Sequence, residues 1–219
     1  MSNVFFQPYV GSKFEMGIHG KKVLVLGASF YCDETDCPCF EDCTSVIKKD
    51  SSKYDRTCPH YAKLKEVLHD EPSYCVENLP KTYQIFANYM QQFVSGNVWD
   101  YLAFTNYVQF MLGAKGGYRV THRSDMSERD FAAFNEVLAT LQPDIVVIWG
   151  TVINSRLKEE NAYIVDPQEL LRTESYVCHI QPPGVKRPVA IINPYHPSSS
   201  AWYGDIPLLD KYMNKLLGI

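Results

Sequence analysis

The sequence predicts an α/β protein, a three-layer α/β/α sandwich built on a central, mainly parallel sheet of four strands. Three observations lead there. Four short runs rich in Val, Ile and Leu end in turn residues, which is the pattern of strands buried on both faces. Between them lie stretches whose apolar residues recur at helical spacing, and strands alternating with helices imply parallel pairing. The chain has 219 residues, 46% of them hydrophobic, enough to bury one sizeable core, so a single domain over 1–219 is expected.

In chain order, the first strand is expected over 22–28, centred on VLVLGA. The segment 32–78 that follows is polar and rich in Cys, Asp, Ser and Lys, with helical stretches only near 42–49 and 60–69, and it reads as an insertion. Residues 80–94 (PKTYQIFANYMQQFV) form the next helix and 101–106 the second strand. The helix over 127–141 (SERDFAAFNEVLATL) opens on Ser127 with Asp130 three residues on, a capping arrangement with Asp in place of the usual Glu or Gln. The third strand spans 144–149 within PDIVVIWG, and the fourth spans 188–193. A terminal helix over 205–217 is opened by Asp205 and closed by Gly218.

Composition narrows the function classes. The longest apolar runs are far too short to cross a bilayer, and Met1 to Phe14 lacks a basic start followed by an apolar stretch. A cytoplasmic protein without a membrane partner is expected. A formal charge of -4 argues against a surface that binds nucleic acid as a whole, while leaving room for a local contact. The lysines at 48, 49 and 53, with Arg56, read as a solvated face. Seven cysteines without an export signal do not suggest a disulfide framework. Cys37, Cys39, Cys43 and Cys58, with Cys32 and His60 near, are instead a candidate ligand set for zinc or an iron–sulfur cluster, because thiolates suit both. Reduced, unliganded thiols are the alternative.

Open α/β sheets bind ligands at the carboxyl ends of their strands, so the residues that follow each run carry the functional argument. After the first comes GASFYCDE (27–34); the second ends in FTN (104–106), the third in WG (149–150) and the fourth in NPYHPSSS (193–200). A glycine, a tyrosine, an asparagine and a histidine would meet at one rim. A base-reading pocket needs this set: an amide pairs with a base edge, an aromatic ring stacks on its face, and an imidazole meets a carbonyl oxygen.

In this ordered set, Gly27 to Tyr31, Asn106 and His196-Pro197-Ser198, the chain resembles the uracil-DNA glycosylase superfamily over roughly 22–31 and 100–217. The resemblance implies a binding pocket for a base extruded from DNA, with Gly27, Ala28, Tyr31 and Asn106 around it. His196 would hydrogen-bond a base oxygen and stabilise the anionic leaving group, and Ser198 and Ser199 would hold a backbone phosphate. Many members place an Asp in the first motif to position the attacking water. Here Ser29 stands two residues after Gly27, and Asp33 or Glu34 on the next turn would be the substitute acid.

Three functions follow as alternatives. The first is a glycosylase that hydrolyses the N-glycosidic bond of uracil or another damaged base in DNA. The second is a non-catalytic module of the same fold that binds a nucleobase, a nucleotide or nucleic acid. The third takes Ser29 as a nucleophile with His196 as its base, in the order of flavodoxin-like serine esterases, although Asn193 stands where that family has its Asp.

Overall fold

The computed structural model describes residues 3–33, 81–114, 120–159, 163–166 and 177–219. Its centre is a mixed sheet of six strands: β1 (Tyr9–Val10), β2 (Val23–Gly27), β4 (Leu102–Asn106), β6 (Ile145–Ile148), β7 (Val177–Ile180) and β8 (Val189–Ile192). The spatial order is β1-β4-β2-β6-β8-β7. A separate parallel pair joins β3 (Phe30–Asp33) to β5 (Met111–Ala114).

The four expected strands are the middle four, and they are parallel to one another. Every residue of VLVLG, LAFTN, IVVI and VAII is buried, so both faces of these strands are covered. The expectation of a mainly parallel four-stranded sheet is corrected at the edges, where β1 and β7 run antiparallel to β4 and β8. Neither has the continuous apolar run that marks a central strand: β1 is two residues long, and β7 alternates half-buried and buried positions.

Four helices complete the described residues: α1 (Lys81–Met90), α2 (Glu128–Leu141), α3 (Thr151–Glu159) and α4 (Ala201–Leu217). Helix α1 turns Tyr83, Phe86, Tyr89 and Met90 inward and runs into a short tight turn over Gln91–Phe93. Its rings pack on Trp99, Phe104, Trp149 and Trp202, with Phe86 and Trp149 centred 5.2 Å apart in an edge-on arrangement. In α2 the Ser127 hydroxyl accepts from the Asp130 N–H while the Asp130 carboxylate accepts from the Ser127 N–H, which is the expected reciprocal cap.

The start of the last helix differs from expectation. It begins at Ala201, four residues before Asp205, and continues through Pro207. Asp205 reads as a helix start in sequence, yet the buried face of Trp202, Leu209, Met213 and Leu217 carries the helix across it and across Pro207. Gly218 closes it as expected, in the left-handed region at φ 77°. The insertion expected over 32–78 lies outside the described residues beyond Asp33.

Candidate functional site

The rim is assembled by parallel register. Gly27 and Asn106 end neighbouring strands as register partners, so the first motif and the asparagine lie side by side. The pairing continues past the strands, because the Tyr107 N–H donates to the Gly27 carbonyl and the Val108 N–H to that of Ala28, each at 2.9 Å. A Cβ at position 27 would collide with the Asn106 side-chain oxygen and come within 3.2 Å of the Phe104 ring. Only glycine lets the carboxamide lie across this backbone.

Asn106 is 4% exposed. Its backbone carbonyl accepts from Gln109 Nε2 at 2.8 Å, but its carboxamide makes no hydrogen bond among the described residues. A buried amide normally has partners, and one without them at a strand end is available to a ligand. Gln109 fixes the loop behind it: Oε1 accepts the N–H groups of Phe5 and Phe6 at 2.8 and 3.1 Å, and its own N–H donates to Asp130 at 2.7 Å. Burial raises the Asp130 carboxyl above the usual carboxylate range, against the opposing pull of the Gln109 and Ser127 donors.

The second side of the rim is the loop after β8. Asn193 Nδ2 reaches the Gly150 carbonyl at 2.6 Å and that of Ile148 at 3.3 Å, tying this loop to the end of β6. Gly150, at φ 93°, brings its N–H to within 3.2 Å of the Pro194 carbonyl. Asp205, expected as a cap, instead accepts the Tyr195 N–H at 3.0 Å and so anchors the His-Pro turn from the last helix. The His196 ring stands edge-on to Trp149, with centroids 6.1 Å apart.

The hydrogen bonds of His196 select its tautomer. The Ser198 N–H, which can only donate, points at Nδ1 from 3.3 Å, and the Ser198 hydroxyl lies 2.8 Å from the same nitrogen. Nδ1 therefore carries the lone pair, and the neutral ring bears its proton on Nε2. Burial lowers the His196 pKa below the usual imidazole range, which favours that neutral form. The Ser198 hydroxyl orients the imidazole, and Ser199 Oγ accepts the Ala201 N–H at 3.3 Å at the start of α4. Both serines lie at the amino end of a 17-residue helix, where the N–H groups of Ser198, Ser199, Ala201 and Trp202 bond within the turn.

Ser29 is nearly buried, and its hydroxyl bonds Thr121 Oγ1, which also bonds the Tyr31 hydroxyl at 2.7 Å. Tyr31 is 40% exposed, at the open end of this hydroxyl chain. No hydrogen bond links Ser29 to His196 among the described residues, where each has its own hydroxyl partner. Asp33 ends β3, and its side chain lies outside the described part of the structure. Glu34, Cys37, Cys39, Cys43 and Cys58 lie outside the described residues, among which no group of three or more His, Cys, Asp or Glu side chains could hold a metal.

Two contributors, Gln109 and Thr121, carried no signal in the sequence, and a third, Asp205, was expected only as a helix opener. Gln109 and Asp205 act on backbone groups, and Thr121 is 92 residues from Ser29. A cavity of about 230 Å³ lies at the opposite end of the sheet, lined by Lys22, Gln142, Asp144, Lys186 and Arg187 between two prolines. No helix among the described residues is long and apolar enough to cross a membrane. No family model matches the chain, and no curated protein matches it.

Proposed function

We propose that the rim binds an extruded nucleobase and that the protein is an N-glycosidic hydrolase of the uracil-DNA glycosylase type, with the three-layer sandwich that type implies. The observation that carries this reading is the Asn106 carboxamide, buried beside Gly27 and without a partner among the described residues. A carboxamide offers one donor face and one acceptor face, matching the N–H and carbonyl edge of uracil. His196, neutral with its proton on Nε2, supplies a donor for a base oxygen as the bond to the sugar breaks and charge moves onto the base. The Ser198 hydroxyl, exposed at the amino end of α4, suits a DNA phosphate.

Ser29 cannot offset a cationic sugar by charge, so the leaving-group side bears most of the catalytic effect. The test is release of uracil from single- and double-stranded oligonucleotides, with His196→Ala and Asn106→Ala as controls and the metal content of the purified protein measured. The reading predicts release by the native chain that both substitutions suppress. Uracil binding that depends on Asn106 without any release would instead establish the non-catalytic module. Neither release nor binding by folded protein would defeat the base-pocket reading altogether.

A further inference from the structure

The three-hydroxyl chain Ser29–Thr121–Tyr31 has no place in the leaving-group chemistry above, and its geometry suggests a separate task. It begins two residues beyond Gly27, at a side chain only 9% exposed, and ends at a tyrosine 40% exposed. Thr121, at its centre, is 4% exposed, and neither it nor Ser29 has another hydrogen bond among the described residues. A hydroxyl carries one proton and can accept at its lone pairs, so three in series can each accept on one side and donate on the other. A chain of neutral hydroxyls does not store a proton, but it can pass one from a buried point to solvent.

We infer that Thr121 is a positioning residue that completes a proton path from a water held at Ser29, through Tyr31, to bulk solvent. The inference rests on the base-release reading and specifies how such a site works without a carboxylate. The electron pair of the bond between the base nitrogen and the sugar carbon leaves with the base, whose anionic oxygen accepts from His196 Nε2–H. The water oxygen forms the new bond to the positively charged sugar carbon as the base departs, so its proton is already in motion in the step that releases uracil. Bound there, the water is a strong acid, and no strong base is needed to receive its proton. That proton passes to Ser29 Oγ as the Ser29 proton passes to Thr121, the Thr121 proton to Tyr31, and the Tyr31 proton to solvent. The departed base takes up a proton from solvent, so the sum is hydrolysis by one water with every hydroxyl restored.

Single-turnover uracil release, measured in mixtures of light and heavy water, tests this with Thr121→Val, Thr121→Ser and Tyr31→Phe. Thermal melting checks that each variant is folded. Several protons moving together give the native protein a bowed dependence of rate on deuterium fraction. Thr121→Val should slow release by about tenfold or more, short of the roughly 10²–10⁴-fold of a full general base because no strong base is needed, and give a straight dependence. Thr121→Ser, which keeps the hydroxyl, should stay within about twofold of native and keep the bow. Tyr31→Phe changes the exposed end and leaves the core alone, so it covers the case in which Thr121→Val does not fold; it too should give a straight dependence. Native rates or a retained bow in Thr121→Val or Tyr31→Phe would overturn the proton path and leave the base-release reading standing. Absence of release by the native chain would overturn both.

Discussion

The four central strands end differently at their two edges. At the amino ends the polar groups are used within the fold. The Asp144 carboxylate accepts the Lys22 N–H at 2.9 Å, Lys22 Nζ donates to the Leu141 carbonyl at 2.6 Å, and Gln142 satisfies both ends of its amide on Ala139, Gly184 and Lys186. At the carboxyl ends the Asn106 amide has no partner among the described residues, and His196 is held through Nδ1 alone. The contrast is between two amides. Gln142 fastens a loop to the end of α2, while Asn106 is placed just as firmly by its backbone and left with its side chain unused. Concavity alone would mislead, since a cavity of about 230 Å³ lies at the amino edge.

The contrast is sharpest in the response to substitution. His196→Ala should lower base release by about 10²–10³-fold, the usual effect of removing one donor aimed at developing charge. Its melting temperature should stay close to native. Asn106→Ala should weaken uracil binding by about 10- to 100-fold, equivalent to the roughly 1–3 kcal/mol of one well-made polar contact, as read by titration calorimetry. Global stability should hardly change, because no internal bond is lost; a large fall in the urea midpoint would show that the amide is structural after all.

Gln142→Ala reverses that pattern. It removes three bonds at a largely exposed loop and should cost about 1 kcal/mol of unfolding free energy while leaving base release unchanged. The smallest effect concerns pH. Because burial depresses the folded pKa of His196, the unfolded chain binds the proton more readily. The stability from the neutral ring is therefore complete above the unfolded value of about 6.5 and is lost as pH falls from there through the folded value. Urea midpoints taken between about pH 5 and 8 should decline on the acid side, and His196→Ala should remove that part of the decline.

Much of the fold was legible because burial on both faces leaves a continuous apolar run, as in VLVLG and IVVI. The edges were not, since a two-residue strand and the half-buried VCHI have no such signature. Helix α3 was missed because its inward face is Ile153 and Leu157, one pair a single turn apart. At the site, the pairing of Gly27 with Asn106 was legible because both end parallel strands that lie side by side, and His196 was singled out because its loop follows another strand of the same sheet. Asp205 was misread because a carboxylate at a helix start usually caps that helix, whereas this one reaches back to Tyr195. Thr121 had no local signal, since its role comes from side chains distant in sequence.

The Gln109 amide also bears on how the protein can be handled. It holds the backbone of Phe5 and Phe6 on one side and the Asn106 carbonyl on the other. A shortened expression clone that starts at Tyr9 would keep every rim residue and most of the sheet, yet leave Oε1 without either donor. The amide would then be free to turn, and the asparagine loop would lose its brace. Trimming the amino terminus for crystallisation should therefore impair the rim, whereas a tag placed ahead of Asn3 leaves this latch intact.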